Sequence, residues 1–253
     1  MAVRSRLSRV QWHRRPFESD IDAFGRYQYT GSDRVSTVHA NRRFSDMILS
    51  ATDMRGRRVV DVGCGDGTYT ALLGHESGAA SVLGIDPAQA AITVARSRPA
   101  PATVSFRHGT ATTLMAEGAV FDVAVYRGVI HHVADPAGEI RAALRLAPIV
   151  VFLEPNGMNP VLKLLERFST YHREHDERSY VASTYRDWIE SGGGRVRSSI
   201  YFGLVPHFSP DWLARTGAVL EPVIERIPGL RIITCGQLLV VAEGVRERLR
   251  EEP

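Results

Sequence analysis

Three observations make an α/β fold, a parallel sheet wound with helices, the architecture expected of these 253 residues. Short apolar runs alternate with helical stretches between positions 58 and 155. The first run ends in three glycines at every second position, just before a helix. The composition, 44% hydrophobic and 23% charged, is that of a chain that folds by burial, which argues against disorder, collagen and coiled coil. The length sits near the upper end of what one core holds, so a single domain with added segments is expected.

The strands follow from the apolar runs. Arg58–Val62 ends at the glycines, residues 81–85 end at Asp86-Pro87, and residues 103–107, 121–126 and 149–153 follow, the last stopping at Glu154-Pro155. Helical spacing lies between them, at Thr68–Glu76, residues 88–98 and Pro136–Leu146. Asp135-Pro136 reads as an N-cap with proline at the first helical position. Strands alternating with helices imply βαβ units and a ligand site at the carboxyl ends of the strands. Residues 1–45, with Trp12, Phe17, Phe24, Tyr27, Tyr29 and Phe44 among polar residues, are expected to form a basic arm and a helical lid. The main domain is expected over 46–253, with an inserted substrate cap at 156–190. Beyond it, Gly192 to Gly194 end a helix, Arg195–Phe202 and residues 230–241 read as strands, and residues 211–220 as the helix between them.

Charge and cysteine usage bound the function. The net charge of +3 depends on Arg4, Arg6, Arg9, Arg14 and Arg15, and removing these five positive charges leaves −2. The body therefore lacks the broad positive field of a nucleic-acid binder, and nucleic acid is not the expected partner. Lys163 is the only lysine among the 31 basic residues, a codon-usage bias rather than chemistry. Cys64 and Cys235 are too few for a disulfide framework or a four-cysteine zinc site and fit a reducing cytoplasm, although one disulfide between them stays open. No signal-like stretch and no run of eighteen apolar residues is present, so neither export nor a membrane span is expected. His172, Glu174, His175, Asp176 and Glu177 read as a solvated charged surface, and no metal is expected.

The glycine turn carries the strongest chemical signal. Glycines at 63, 65 and 67 let backbone approach a ligand where a side chain would collide. A nicotinamide fingerprint requires glycine at position 68, which is Thr68. Asp61 would repel a diphosphate and attract an ammonium group, so the ligand is expected to be cationic at this end. Cys64 reads as a small packed residue within the loop.

Asp61-Val-Gly-Cys-Gly-Asp-Gly67 resembles the first motif of the class I S-adenosylmethionine-dependent methyltransferases. Asp86 stands where that family places the acid that binds both ribose hydroxyls, and the segment from Phe121 to Pro136 is similar to its fourth motif. The resemblance covers about residues 58–155. It implies a Rossmann-like, doubly wound, mostly parallel seven-stranded sheet whose last strand is antiparallel. It further implies S-adenosyl-L-methionine as cofactor, S-adenosyl-L-homocysteine as product, and contacts from Asp61, Gly63, Cys64, Gly65, Asp86, Pro87, Thr110, Ala111 and Arg127, the last toward the cofactor carboxylate. The family's usual Gly-Asp-Ala after the third strand is here Gly109-Thr-Ala111, with an uncharged hydroxyl in place of the acid.

His131 and His132 follow the fourth strand. Both are candidate catalytic residues by their place at the carboxyl edge, and the resemblance implies a base or substrate contact at His132, assisted in relatives acting on phosphoethanolamine by an N-terminal tyrosine, for which Tyr27 and Tyr29 are candidates. Glu154 and Asn156, at the end of the fifth strand, either orient the acceptor or form a polar turn that stops the strand. The expected activity is in-line methyl transfer to an oxygen, nitrogen or carbon nucleophile of a small molecule, such as a secondary metabolite or a lipid- or quinone-like acceptor. The rivals are an RNA or other macromolecular methyltransferase using the basic arm, and a non-catalytic cofactor-binding homologue. A homodimer is compatible with the sequence.

Overall fold

The computed structural model describes residues 33–168, 178–207 and 209–244. A helix α1 (Val35–Ala51) leads into β1 (Arg58–Val62), α2 (Thr68–Glu76), β2 (Ser81–Asp86), α3 (Gln89–Ser97), β3 (Val104–His108), α4 (Ala111–Ala116) and β4 (Val123–Arg127). A 3-10 turn (Ile130–His132) precedes α5 (Pro136–Leu146), β5 (Ile149–Pro155), α6 (Pro160–Phe168), α7 (Ala182–Ser191), β6 (Arg195–Phe202), α8 (Asp211–Ile224), α9 (Pro228–Thr234) and β7 (Gln237–Glu243). The strand order is β3-β2-β1-β4-β5-β7-β6. β3, β2, β1, β4 and β5 run parallel, and β7 is antiparallel to both neighbours. This is the Rossmann-like seven-stranded sheet expected above.

The central strands are apolar on both faces because both are covered. Val59, Val82, Val123, Val151 and Leu239 face Phe44 and Ile48 of α1 and Leu73 of α2. Val60, Ala124, Val150 and Val240 face the other way, against Leu114, Ile140, Leu144, Tyr185 and Ile189 from α4, α5 and α7. Each large side chain so buried contributes about 1.5–3 kcal/mol of transfer free energy. The N-cap of α5 is as expected: Asp135 Oδ1 accepts from Gly138 N at 2.9 Å.

Four features depart from the sequence expectation. Residues 230–241 are not one strand, because Pro228 opens α9 and Gly236 separates it from β7. An apolar run rich in isoleucine and leucine suits either element, and proline at the first helical position tips it toward a helix. The six-residue α4 is too short to show a period. α1 runs straight across position 45/46, where the lid was expected to end, because Ala40, Phe44 and Ile48 bury on one stripe. Within 156–190, α7 buries Tyr185 and Ile189 completely and so belongs to the core, while α6 buries none of its residues. Both cysteines are free and buried, so no disulfide joins them. Among the described residues no helix is long and apolar enough to cross a membrane.

One buried carboxyl sets a pH dependence. The Tyr126 hydroxyl donates to Glu139 Oε1 at 3.2 Å, and Oε2 has no partner among the described residues. Burial, aided by the charge of Asp135, pushes Glu139 from 4.5 up to about 7. Between those values the folded chain holds a proton that the unfolded chain releases, so this group's contribution to stability falls as pH rises through that window. Glu139→Gln is therefore expected to be more stable than the parent near pH 8, by up to about 3 kcal/mol, with the difference shrinking toward pH 5. Urea midpoints at the two pH values check this, and a parent that is as stable at the higher pH as the variant would contradict it.

Candidate functional site

The glycine turn is tied to β2 before it reaches any ligand. Gly63 N and Cys64 N both donate to Ile85 O, at 2.8 and 3.0 Å. Gly63 has φ +74°, and a Cβ there would lie 2.5 Å from Val129 Cγ2, so glycine is required both by conformation and by the close approach of the β4–α5 loop. Gly67 has φ +78°, and a Cβ would meet the Phe106 ring at 2.7 Å. The Cys64 side chain is buried beneath this turn, and burial raises its thiol well above the ordinary value, so it stays protonated and packs. Asp66, which the sequence reading passed over, closes the turn: its carboxylate accepts from Thr68 N and Thr68 Oγ1 and pairs with Arg98 at 3.2 Å.

Asp86 ends β2 with its carboxylate buried at the turn. Oδ2 accepts from Gly65 N at 3.0 Å and Oδ1 from Ala88 N at 2.8 Å. Asp61 accepts from Thr70 Oγ1 at 2.6 Å, and burial pushes its carboxyl up to about 6. At neutral pH it is mostly ionised, on the same sheet edge as Asp86.

Arg127 ends β4 and is held by elements far away in sequence. Its Nη1 donates to Ser45 Oγ at 2.9 Å and its Nη2 to Asn41 Oδ1 at 3.1 Å, both on α1. The guanidinium stacks 3.4 Å from the centre of the Tyr69 ring. Burial lowers Arg127 to about 10, still cationic at neutral pH, while Tyr69 and the Asp61 charge act in the opposite direction. Ser45, Asp61, Tyr69 and Arg127 line one small pocket with Ile48 and Leu73. Asn41, Ser45 and Tyr69 were not singled out from the sequence, and nothing local in it links α1 to position 127.

On the other side of β4, the 3-10 turn presents His131 and His132 with ring centroids 3.8 Å apart. His131 Nδ1 lies 2.6 Å from Glu154 Oε2, and Glu154 Oε1 accepts from Val129 N and Ile130 N, each at 2.8 Å. The carboxylate of Glu154 thus faces inward, to the β4–α5 loop. Asn156 is also spent inside: its amide donates to Ile232 O and Cys235 O, and its Oδ1 accepts from Met158 N. Thr110 Oγ1 caps α4, accepting from Thr113 N at 3.2 Å. Ala111 opens that helix, where first-turn amides have no intrahelical acceptor. Pro87 O accepts from His108 Nε2 at 3.1 Å. Tyr27, Tyr29 and the charged segment from His172 to Glu177 lie outside the described residues. Among the described residues no cluster of three metal-ligating side chains occurs.

Asp61 and Asp86 place two buried carboxylates at this edge, and Arg127 supplies a cation. The sequence model of the family described as Methyltransferase domain matches residues 59–151, the span that builds these groups. The chain is 30% identical over 202 residues to the ubiquinone biosynthesis O-methyltransferase of Roseobacter denitrificans, covering 76% of this chain and 74% of that one. It is 34% identical over 153 residues to the protein of the same name from Azorhizobium caulinodans, covering 54% and 57%. Among solved structures, magnesium protoporphyrin IX methyltransferase from Synechocystis, with S-adenosylhomocysteine bound, matches with TM-score 0.62 and 13% identity over 91% of this chain and 99% of that one. The cyclase SpnF matches with TM-score 0.61 and 19% identity over 85% and 84%. At such identities the fold alone is shared, and a cyclase among the matches illustrates that fold does not dictate reaction. Sequence identity over most of a related enzyme, together with the motif span, does more, and on that ground the chain is a member of the class I methyltransferases that use S-adenosylmethionine as cofactor.

Proposed function

We propose that the chain methylates a hydroxyl group of a small aromatic, quinone-like acceptor. The observation that carries this reading is the pair of imidazoles set at the carboxyl end of β4, one of them against a carboxylate, beside the loop that packs on Gly63. The names of the relatives, both ubiquinone O-methyltransferases, favour oxygen as the nucleophile. Asp86 would accept from the ribose hydroxyls, Asp61 would face the ammonium group, Arg127 the carboxylate, and the first turn of α4 at Thr110 and Ala111 the adenine. S-adenosylmethionine supplies a methyl group on a positively charged sulfur that leaves as a neutral thioether. The chain's own part is to align the acceptor and exclude water, worth up to ~7–11 kcal/mol in favourable cases. A histidine that takes the hydroxyl proton as the new bond forms adds about 10²–10⁴-fold. The two buried free cysteines suit the reducing cytoplasm in which such an enzyme would work.

Incubating the full chain with S-adenosylmethionine and matched catechols, phenols, amines and short RNA, with mass spectrometry of the products, tests this. The expected result is a single methyl gain on catechol or phenol oxygen. Methylation confined to amines or RNA, or cofactor binding without turnover of any acceptor, would overturn it.

A further inference from the structure

Helix α8 carries its polarity inverted. Its buried stripe contains Ala214 and the carboxylate of Glu221, which Leu204 N, His39 and Arg43 hold against the body. The opposite face presents Trp212, Thr216, Val219 and Val223, all exposed, Trp212 by 69% and Val219 by 76%. A surface helix ordinarily turns its charges to water and its apolar stripe to the core. Between positions 52 and 155, the span that holds the five parallel strands, no large apolar side chain is exposed, so the face of α8 is a patch rather than part of an even scatter. The steps of four, three and four residues along the stripe are those of a heptad seam, which fits another helix. One flank of the seam is apolar, with Leu213, Leu220 and Ile227, and the other carries Asp211, Arg215 and Arg226, all exposed.

We propose that this face docks on the same face of a second copy of the chain, with the two α8 helices antiparallel about a two-fold axis. The stripe is complementary to itself in that arrangement: Trp212 comes level with the partner's Val223, and Thr216 with the partner's Val219. A two-fold pairing brings like flanks together, so the leucine flank meets its own copy, and Asp211 lies within one turn of the partner's Arg226, acid against base. A parallel pair would instead set the apolar flank of one copy on the charged flank of the other. Antiparallel helices also oppose their dipoles, and one patch then serves both halves of the contact. The seat is preformed, because the Glu221 and Glu225 carboxylates already fix α8 to α1 through His39 and Arg43, so association orders only the outward side chains. A helix of fourteen residues is about 21 Å long, which puts the contact among the small interfaces, under ~1,200 Å² in total. Association is therefore concentration-dependent, with a Kd on the order of 10 μM.

Sedimentation velocity of the full chain at about 1–200 μM tests this, with passage from monomer to dimer across that range expected. Val219→Glu and Val219→Lys each place a charge on the seam without touching the core, so each is expected to weaken the dimer by at least about 30-fold while the urea midpoint stays that of the parent. Across the axis the two copies of position 219 are offset by only three residues, less than one helical turn. An equimolar mixture of the two variants is therefore expected to dimerise again, at least about tenfold more tightly than either alone, a rescue that depends on α8 meeting α8. A full chain that stays monomeric to the highest concentration, a dimer that survives both substitutions, or a mixture that shows no rescue would overturn the proposal. If residues 1–32 of the same chain cover the stripe, the full chain stays monomeric and Val219→Glu lowers its melting temperature. If a lipid surface covers it, the full chain stays monomeric and co-sediments with anionic phospholipid vesicles in a way that Val219→Glu abolishes. Either result refutes the second copy as occupant.

Discussion

Asp86→Asn is expected to weaken S-adenosylmethionine binding by about 10²-fold. The carboxylate accepts one backbone amide on each oxygen, from Gly65 on the glycine turn and from Ala88 ahead of α3. An asparagine turns one of those oxygens into a donor facing an N–H, so a buried amide loses its acceptor and the turn shifts. It also removes the charge that, on the proposed reading, would strengthen hydrogen bonds from the ribose. Hydrogen bonds to charged groups are worth about 1.5–3 kcal/mol each, and the loss of one to two of them corresponds to the stated factor. Titration calorimetry with the cofactor checks it, with thermal unfolding as the control for folding. A Kd within threefold of the parent would mean that Asp86 only shapes the turn.

The second large effect lies away from the reacting groups. Glu221→Ala is expected to destabilise the fold by about 3 kcal/mol and to lower the melting temperature by roughly 6–12 °C. Glu221, on α8, is 2% exposed. Its Oε2 pairs with His39 Nε2 at 2.8 Å and Arg43 Nε at 3.2 Å, both on α1, and its Oε1 accepts from Leu204 N at 2.7 Å. Removing one partner of a buried ionic cluster leaves the others without compensation, which costs more than the intact cluster ever contributed. Glu225, one turn on, takes Gly203 N and Arg43 Nη2 and limits the damage. Because α1 also carries Asn41 and Ser45 on Arg127, a modest loss of cofactor affinity should accompany the loss of stability. An unchanged urea midpoint would show that α1 is held by its apolar stripe of Ala40, Phe44 and Ile48 alone.

The described end of the segment 1–45 shows what periodicity leaves open. Phe44 among polar residues is the signature of an amphipathic helix, and that much was correct, but periodicity does not say what the apolar stripe will cover. Here it covers the sheet face built by Val59, Val151 and Leu239, and the polar side of the helix supports Arg127 and Glu221. Glu154 was legible as a polar residue ending a strand, either orienting the acceptor or stopping the strand, but not as the partner of His131. Its partner is 23 positions away, across a register that no local pattern encodes.

Local chemistry was enough to determine the βαβ alternation, the cap of α5 at Asp135, the glycine turn and the carboxylates Asp61 and Asp86. Each depends on residues within a few positions of one another, where backbone geometry and side-chain period act directly. The strand order was implied by likeness to a family. Only the tertiary structure decided that Arg127 is held by Asn41 and Ser45, that Glu154 faces His131, and that α7 belongs to the core. These contacts join segments tens of residues apart. They depend on which strands become neighbours and in what register, and that choice is set by burial summed over the whole sheet rather than by any one stretch of sequence.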